Sequence, residues 1–588
     1  MSNAPDDLTF RQRIESDRFV IGAEVVTSRG FVRPQSSDKA LKLAEALAAD
    51  PRIAWISVTD NPGGAPMLPP DWLAGTLAAA GRQTVVHLAC KDLNRNGLES
   101  AAWRYAAEGC DNILALTGDY PATGFGGMTQ PVFDLDSVSL IELLRQMNEG
   151  LVVPGRRGQP ETLPATDFYI GCCVSPFKRL QRELIPQYFK LEKKIEAGAH
   201  WVLPQLGYDM RKFNEIKLYL ESSGHDIPVI GNVYLLTRPV ARLFNSGRLA
   251  GCVVSDELLA DAEKYGAGPD KGRSFFRQLA AKQLAVFKGL GFAAGYLGGI
   301  AKADTFFEII DIANSYGEDE WRDFLPEICY SLPDEFFLFE HDEKTGLSSP
   351  DQLNSEYVDS IDRRPKSKFV TMNYRVSRTV HKIAFTRDRG LYNMAARTFK
   401  RWDKKEKPGL LFRMAYLVER MSKRMLYGCH DCGDCSLPDI AYLCPRSSCS
   451  KDQRNGPCGG SRDGQCELED KECIWTMAYE RLLRYGESES LLDRPVVVCN
   501  PALNETSSWA NTYCDRDHSA PVEEVKEETP ETKLEPVKEK PAEAATPPAE
   551  STEEKQAIID PAHPQMEGPH DPASSQTESK DASESENG

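Results

Sequence analysis

Eight short apolar runs in the first 300 residues constrain this chain more than any other feature. They are Phe19–Val26, Ile53–Thr59, Thr84–Cys90, Asn112–Leu116, Phe168–Val174, Trp201–Leu206, Pro228–Val233 and Ala293–Leu297. Each is nearly continuous in apolar character, as in strands buried on both faces of a parallel sheet. Amphipathic stretches such as Asp38–Ala49 and Leu184–Ala197 lie between them. Strand and helix alternating eight times predict an α/β fold, a closed (β/α)8 TIM barrel. A doubly wound sheet is the alternative, because counting cannot show closure. No G-x-G-x-x-G joins a strand to a helix, which speaks against a Rossmann dinucleotide site. G-F-G-G at 124–127 and Y-L-G-G at 296–299 read as turns.

The strand ends carry the polar chemistry. The fourth run ends abruptly at Thr117-Gly118-Asp119, within N-I-L-A-L-T-G-D-Y-P. A carboxylate just past a buried strand suits a barrel, where side chains from several strand ends converge; Asp also caps turns, so Asp119 has a structural reading too. Glu24 lies inside the first run, where an ionised carboxylate is costly to bury unless paired or protonated. Thr59 and Asp60 end the second run, His87 lies in the third, and Gln205 is a lone amide at the end of the sixth. Polar groups at matching ends of several strands are what a barrel site requires.

Composition bounds the rest. The 588 residues leave room for several domains, and the net charge of -18 is unevenly spread: 18 acidic residues and 6 lysines fall between Pro521 and Gly588. The remainder is only mildly acidic, which argues against nucleic-acid binding. No run is long enough for a membrane span and the N-terminus has no secretory pattern, so a cytoplasmic location is expected. The segment after Pro521 has no Phe, Trp or Tyr and reads as disordered. Residues about 365–425 are basic and helical, and are expected to pack one face and solvate the other.

Eight of the 16 cysteines cluster at Cys429, Cys432, Cys435, Cys444, Cys449, Cys458, Cys466 and Cys473. In a cytosolic chain this pattern predicts metal binding rather than disulfides. C-x-x-C-x-x-C resembles the start of an iron–sulfur motif, but the gap from Cys435 to Cys444 breaks the ferredoxin spacing. Eight thiolates could form two four-ligand sites, or one site with spare thiols, and zinc competes with an iron–sulfur cluster.

Taken together, A-E-V-V, I-S-V-T, V-H-L-A-C-K-D, L-A-L-T-G-D-Y-P, the stretch through W-V-L-P-Q-L-G-Y-D, and I-P-V-I-G-N-V resemble the methylenetetrahydrofolate reductase family, in family order over about 300 residues. The resemblance implies a barrel with bound flavin, FAD or alternatively FMN, that reduces a folate methylene group to methyl in one-carbon metabolism. It implies that Glu24 is the general acid, that Asp119 lies near flavin and pterin, and that Gln205 recognises the pterin. It also implies that Thr59, His87, Asp119, Lys194 and Ala199 contact flavin. Thr117 stands where the family often has arginine, Cys172-Cys173-Val174 where a tyrosine usually follows the fifth strand, and Leu236 nearest an aromatic expected after the seventh, with Tyr234 as a substitute. The segment L-C-P-R-S-S-C-S-K-D-Q-R-N-G-P-C-G-G-S-R-D-G-Q-C-E resembles the cysteine-rich domain fused to or partnered with some members, a separate subunit in acetogen-type systems.

The expected organisation is a barrel at 1–350, a cysteine-rich metal-binding domain at 351–515 and an acidic tail at 516–588. NADH or a redox protein is the expected electron donor, with a partner subunit and a homo-oligomer as expected assemblies. The alternatives are a reductase of another methylene-pterin carrier and a non-catalytic electron-relay or assembly subunit.

Overall fold

Two glycines inside strands make room for two tryptophans inside a barrel. A Cβ on Gly22 would lie 2.0 Å from the Trp55 indole, and one on Gly171 would lie 2.2 Å from that of Trp201. These indoles fill the interior with Val85, Leu114, Tyr169, Ile230 and Tyr296. Below them the short N-terminal helix Phe10–Ile14 plugs the floor, with the Phe10 ring 5.1 Å from Trp55 and 5.5 Å from Trp201.

The computed structural model describes residues 8–30, 38–155, 158–387, 389–403 and 409–521. Its barrel strands are β1 (Val20–Val25), β2 (Ile53–Val58), β3 (Thr84–Ala89), β4 (Asn112–Leu116), β5 (Tyr169–Val174), β6 (Trp201–Pro204), β7 (Ile230–Tyr234) and β8 (Ala294–Gly298). All eight run parallel in the order β6-β5-β4-β3-β2-β1-β8-β7. A parallel bridge between Val202 and Val229, with Val202 N donating to Pro228 O, brings the two ends of the sheet together. This is the expected TIM-type architecture, and the open-sheet alternative falls. The outer faces of the strands pack on helices capped by their own sequence. Asp38 caps Lys39–Ala49 through Leu41 N, and Asp136 caps Ser137–Glu149 through Val138 N and Ser139 N.

Past the barrel the chain does not become a free linker. A hairpin, Phe339–Asp342 with Leu347–Leu353, lies against the helix Met210–Ser222, where the buried Glu215 accepts from Leu338 N at 2.6 Å. Three helices follow: Met372–Ala384, Gly390–Asp403 and Leu410–Tyr427. Their apolar positions are not all covered. Met372, Val376, Val380 and Ile383 are exposed on the first, and Leu411, Met414, Val418, Met421 and Met425 on the third. The expected tail boundary at 516 also shifts, because His518 is held between Asp434 and Asp439. The acidic stretch 522–588 lies outside the described residues. Among the described residues no helix is long and apolar enough to cross a membrane.

Candidate active site at the barrel mouth

Alternation along β1 and β8 turns Gly22, Glu24, Tyr296 and Gly298 to the barrel interior. The register pairs Gly22 with Tyr296, so the Tyr296 hydroxyl reaches two residues further along β1 and donates to Glu24 Oε2 at 3.0 Å. Glycine at 298 leaves space for this carboxyl, since a Cβ there would lie 2.9 Å from Glu24 Oε1. Burial raises the Glu24 pKa, and hydrogen bonds from Tyr296 and the Gly299 backbone only partly oppose it. Glu24 is thus disposed to hold a proton at a strand end.

Asp119 sits at the C-terminal end of β4, where its Oδ2 accepts from Gly63 N at 2.8 Å. Gly118 makes the corner possible. Its φ is +87°, and a Cβ would lie 2.8 Å from the Lys91 side chain. Between these two carboxylates lie the ends of β2 and β3. Among the described residues the buried Thr59 hydroxyl has no hydrogen-bond partner. The His87 Nε2 is 2.9 Å from the Ser57 hydroxyl, and burial drops its pKa to about 4, so the ring is neutral near pH 7. Asp60, pushed up to about 6 by burial, accepts from Ala89 N at 3.0 Å. Gln205 follows β6, with its Oε1 accepting from Leu206 N and its amide nitrogen facing Gly251.

The structure therefore brings Glu24, Thr59, His87, Asp119 and Gln205 to one end of the barrel. Lys194 reaches the same half from the helix Gln181–Glu196, donating to Cys173 O near the end of β5. Ala199 does not join them. It lies in the turn before β6, where its N–H donates to the Lys194 carbonyl at the helix end, and so belongs to the opposite end of the strand from Gln205. Leu236 is another departure: it is buried in the core, whereas the Tyr234 ring packs on Gly299 close enough to feel the Glu24 charge. Tyr296 escaped sequence reading because Y-L-G-G looked like a glycine turn. Its position on an apolar strand adjacent to β1 was the available signal.

The cysteines separate into two sets. Cys429 and Cys444 lie within electrostatic reach of Cys435, and Cys444 of Cys432; Cys449, Cys458, Cys466 and Cys473 form the other set. Cys499, not among the expected ligands, hydrogen-bonds to Cys432. The donor chemistry fits two tetrathiolate centres. Asp431 N points at Cys429 Sγ at 3.3 Å, Gly460 N at Cys458 Sγ at 3.5 Å, and Lys423 Nζ lies 3.6 Å from Cys435 Sγ. Among the described residues no three His, Cys, Asp or Glu side chains are drawn together as a bound ion would draw them.

The second set is carried by a segment that lies on the barrel. Every second side chain reaches it. Lys451 donates to Gly118 O at 3.1 Å, and Gln453 Oε1 accepts from Lys190 at 2.9 Å and from Thr117 at 3.4 Å. Asn455 Nδ2 donates to both oxygens of Asp136 at 3.1 Å, and its backbone N–H adds a third bond at 2.9 Å. Lys178 donates to the carbonyl of Gly459 as well.

Fold and site together define a parallel (β/α)8 barrel with two carboxylates at its strand ends and a thiol-rich module bound beside them. Residues 9–286 match the family described as methylenetetrahydrofolate reductase, and residues 412–500 match that described as methylene-tetrahydrofolate reductase C terminal. The chain belongs to the methylenetetrahydrofolate reductase family. Curated relatives include methylenetetrahydrofolate reductase 2 of Saccharomyces cerevisiae, 28% identical over 196 residues, covering 32% of this chain and 30% of the relative. The 5,10-methylenetetrahydrofolate reductase of Salmonella typhimurium is 24% identical over 166 residues, covering 27% of this chain and 47% of the relative. The chain spans less than half the length of these relatives. A solved structure of an uncharacterized protein from Clostridium thermocellum that binds two copies of 5-methyl-5,6,7,8-tetrahydrofolic acid covers 52% of this chain and 98% of its own, at 11% identity and a TM-score of 0.36. That likeness is too slight to bear on function.

Proposed function

We propose that this chain reduces 5,10-methylenetetrahydrofolate to 5-methyltetrahydrofolate with a bound flavin, as its family generally does. The observation that carries the reading is the half-buried Glu24, its pKa raised by desolvation, at the same barrel end as Asp119 and Gln205. Opening the imidazolidine ring needs a proton on the departing nitrogen, and the raised pKa of Glu24 supports it as the donor. Asp119 offers negative charge to the cation that develops on the ring system. The Gln205 amide offers a donor and an acceptor to a pterin edge.

The unpartnered Thr59 hydroxyl, neutral His87 and Lys194 fit a flavin at this mouth. When bound, the flavin supplies hydride. Each cysteine set would hold a metal centre. An iron–sulfur cluster there would carry single electrons, whereas zinc has no redox chemistry and would serve structure or docking. The exposed apolar helix faces adjoin the first set, through Lys423 beside Cys435, and support docking of a redox partner as electron donor, with NADH as the alternative.

The test is direct. The 588-residue chain, purified without added cofactor, should carry flavin absorbance, iron or zinc, and reduce methylenetetrahydrofolate with a reduced viologen faster than with NADH. Colourless protein that takes up neither FAD nor FMN would sink the reading. Turnover of a different methylene-pterin in preference to the folate would move it to the related carrier.

A further inference from the structure

The module segment puts a buried lysine against the very corner that presents Asp119. Lys451 is 4% exposed, although it comes from a part of the chain more than 300 residues away. Its ammonium donates to Gly118 O at 3.1 Å and pairs with Glu467 at 2.5 Å, and its centre is 5.8 Å from the Phe133 ring. The charges acting on it include those of Cys458, Glu467 and Asp119. Two roles compete for such a lysine: neutralising the nearby thiols, or ordering the barrel corner.

The hydrogen bonds distinguish them. Lys423, beside the other cysteine set, donates to a sulfur, Cys435 Sγ, whereas Lys451 donates to a barrel carbonyl. Two residues on, Gln453 engages Thr117, the residue before Gly118. Consecutive residues of the Thr117-Gly118-Asp119 corner are therefore gripped by one module segment. A corner with a glycine at φ +87° has little intrinsic reason to hold one geometry, and among the described residues Asp119 Oδ2 accepts from the Gly63 N–H.

We propose that Lys451 is a positioning residue of the barrel site: it pins the Gly118 carbonyl and holds fixed positive charge beside Asp119, so that the cysteine-rich module completes the site. The inference rests on the functional reading above only for its consequence in turnover. The positioning itself is a property of the protein without any ligand.

The experiment uses full-length protein and the variants Lys451→Met and Lys451→Arg. Hydrogen exchange of the segment Thr117–Pro121 is measured without added cofactor, alongside metal content, FAD affinity and steady-state folate reduction. Lys451→Met should speed exchange at the corner about tenfold, the worth of a lost hydrogen bond to a charged group. FAD should bind more weakly, and kcat should fall more than KM changes. Lys451→Arg, which keeps charge and reach, should restore exchange and affinity to near the parent values. Should Lys451→Met not accumulate, Lys451→Gln keeps a donor but drops the charge and makes the same comparison. Corner exchange unchanged from the parent would overturn the proposal, as would loss of metal with an unchanged corner. A parent protein that binds no flavin and reduces no folate overturns the functional reading instead, and the exchange result still decides Lys451.

Discussion

The Tyr296 hydroxyl donates to Glu24 Oε2 at 3.0 Å across the β8–β1 pair, so the strand beside β1 also acts on the ionisation of this carboxyl. Burial favours protonated Glu24, and Tyr296 favours the ionised form. The two oppose each other, and burial prevails.

Glu24→Gln should lower folate turnover by about 100-fold or more, within the range of general acid catalysis. Reduction of the flavin by donor, measured separately in a stopped-flow experiment, should be little changed. Equal slowing of both half-reactions would make the damage structural. Tyr296→Phe removes a bond that favours the charged form, so the alkaline limb of the kcat profile should move to higher pH. A shift to lower pH would contradict the account of Glu24.

Asn455 binds Asp136, and Asp136 caps the helix Ser137–Glu149, which packs on the barrel wall. Burial alone would raise the Asp136 pKa, but Lys190 and the hydrogen bonds hold it below the ordinary carboxylate range. Asn455→Ala strips a buried carboxylate of two side-chain hydrogen bonds and should cost about 1–3 kcal/mol. Urea denaturation checks the size, and a loss below about 0.5 kcal/mol would mean that water replaces the amide. For the same reason a barrel cut at 350 should be unstable rather than a free-standing enzyme.

His518 ties the end of the described chain to the first cysteine set through Asp434 and Asp439. Burial works against its charge, but the two carboxylates outweigh that and lift its pKa to about 10. A raised histidine stabilises fully below its unfolded value, about 6.5, and the contribution fades as pH climbs through about 10. Asp439 opposes from the other side. Burial would raise it, yet His518 and Arg494 bring it to about 2, so its share is lost only as pH falls through that value. His518→Gln should therefore cost most between about pH 4 and 6.5, on the order of 3 kcal/mol for a broken buried pair. The gap between parent and variant should close towards pH 10. A gap that is flat from pH 5 to 10 would mean that the histidine is neutral.

The strands were legible because parallel strands buried on both faces must be apolar throughout, and the eight runs show it. Glu24, Asp119 and Gln205 were legible as polar exceptions to those runs. Lys451 was not, because nothing near it in the chain signals a partner such as Gly118, and the grip depends on tertiary packing. Ala199 misled for a related reason: a residue matched by order along the chain can lie at either end of a strand. Leu236 and Tyr234 differ by two positions, and packing on Gly299 decides which lies within reach of the Glu24 charge. The exposed apolar positions on Met372–Ala384 and Leu410–Tyr427 could not be told from buried ones by periodicity, which reports a face and not what covers it.

The side chains at 451, 453 and 455 lie between Cys449 and Cys458 in the chain and on the barrel in space. Occupancy of the thiols and occupancy of the barrel end are then two ligations read by one segment. Thermodynamic reciprocity demands that whatever factor metal adds to the affinity at the barrel, a barrel ligand adds to the retention of metal; couplings of this kind are commonly about 5–150-fold. On the proposed reading, a chain stripped of metal would therefore hold flavin less tightly. On the same reading, a chain saturated with folate and flavin would keep its metal longer against a chelator.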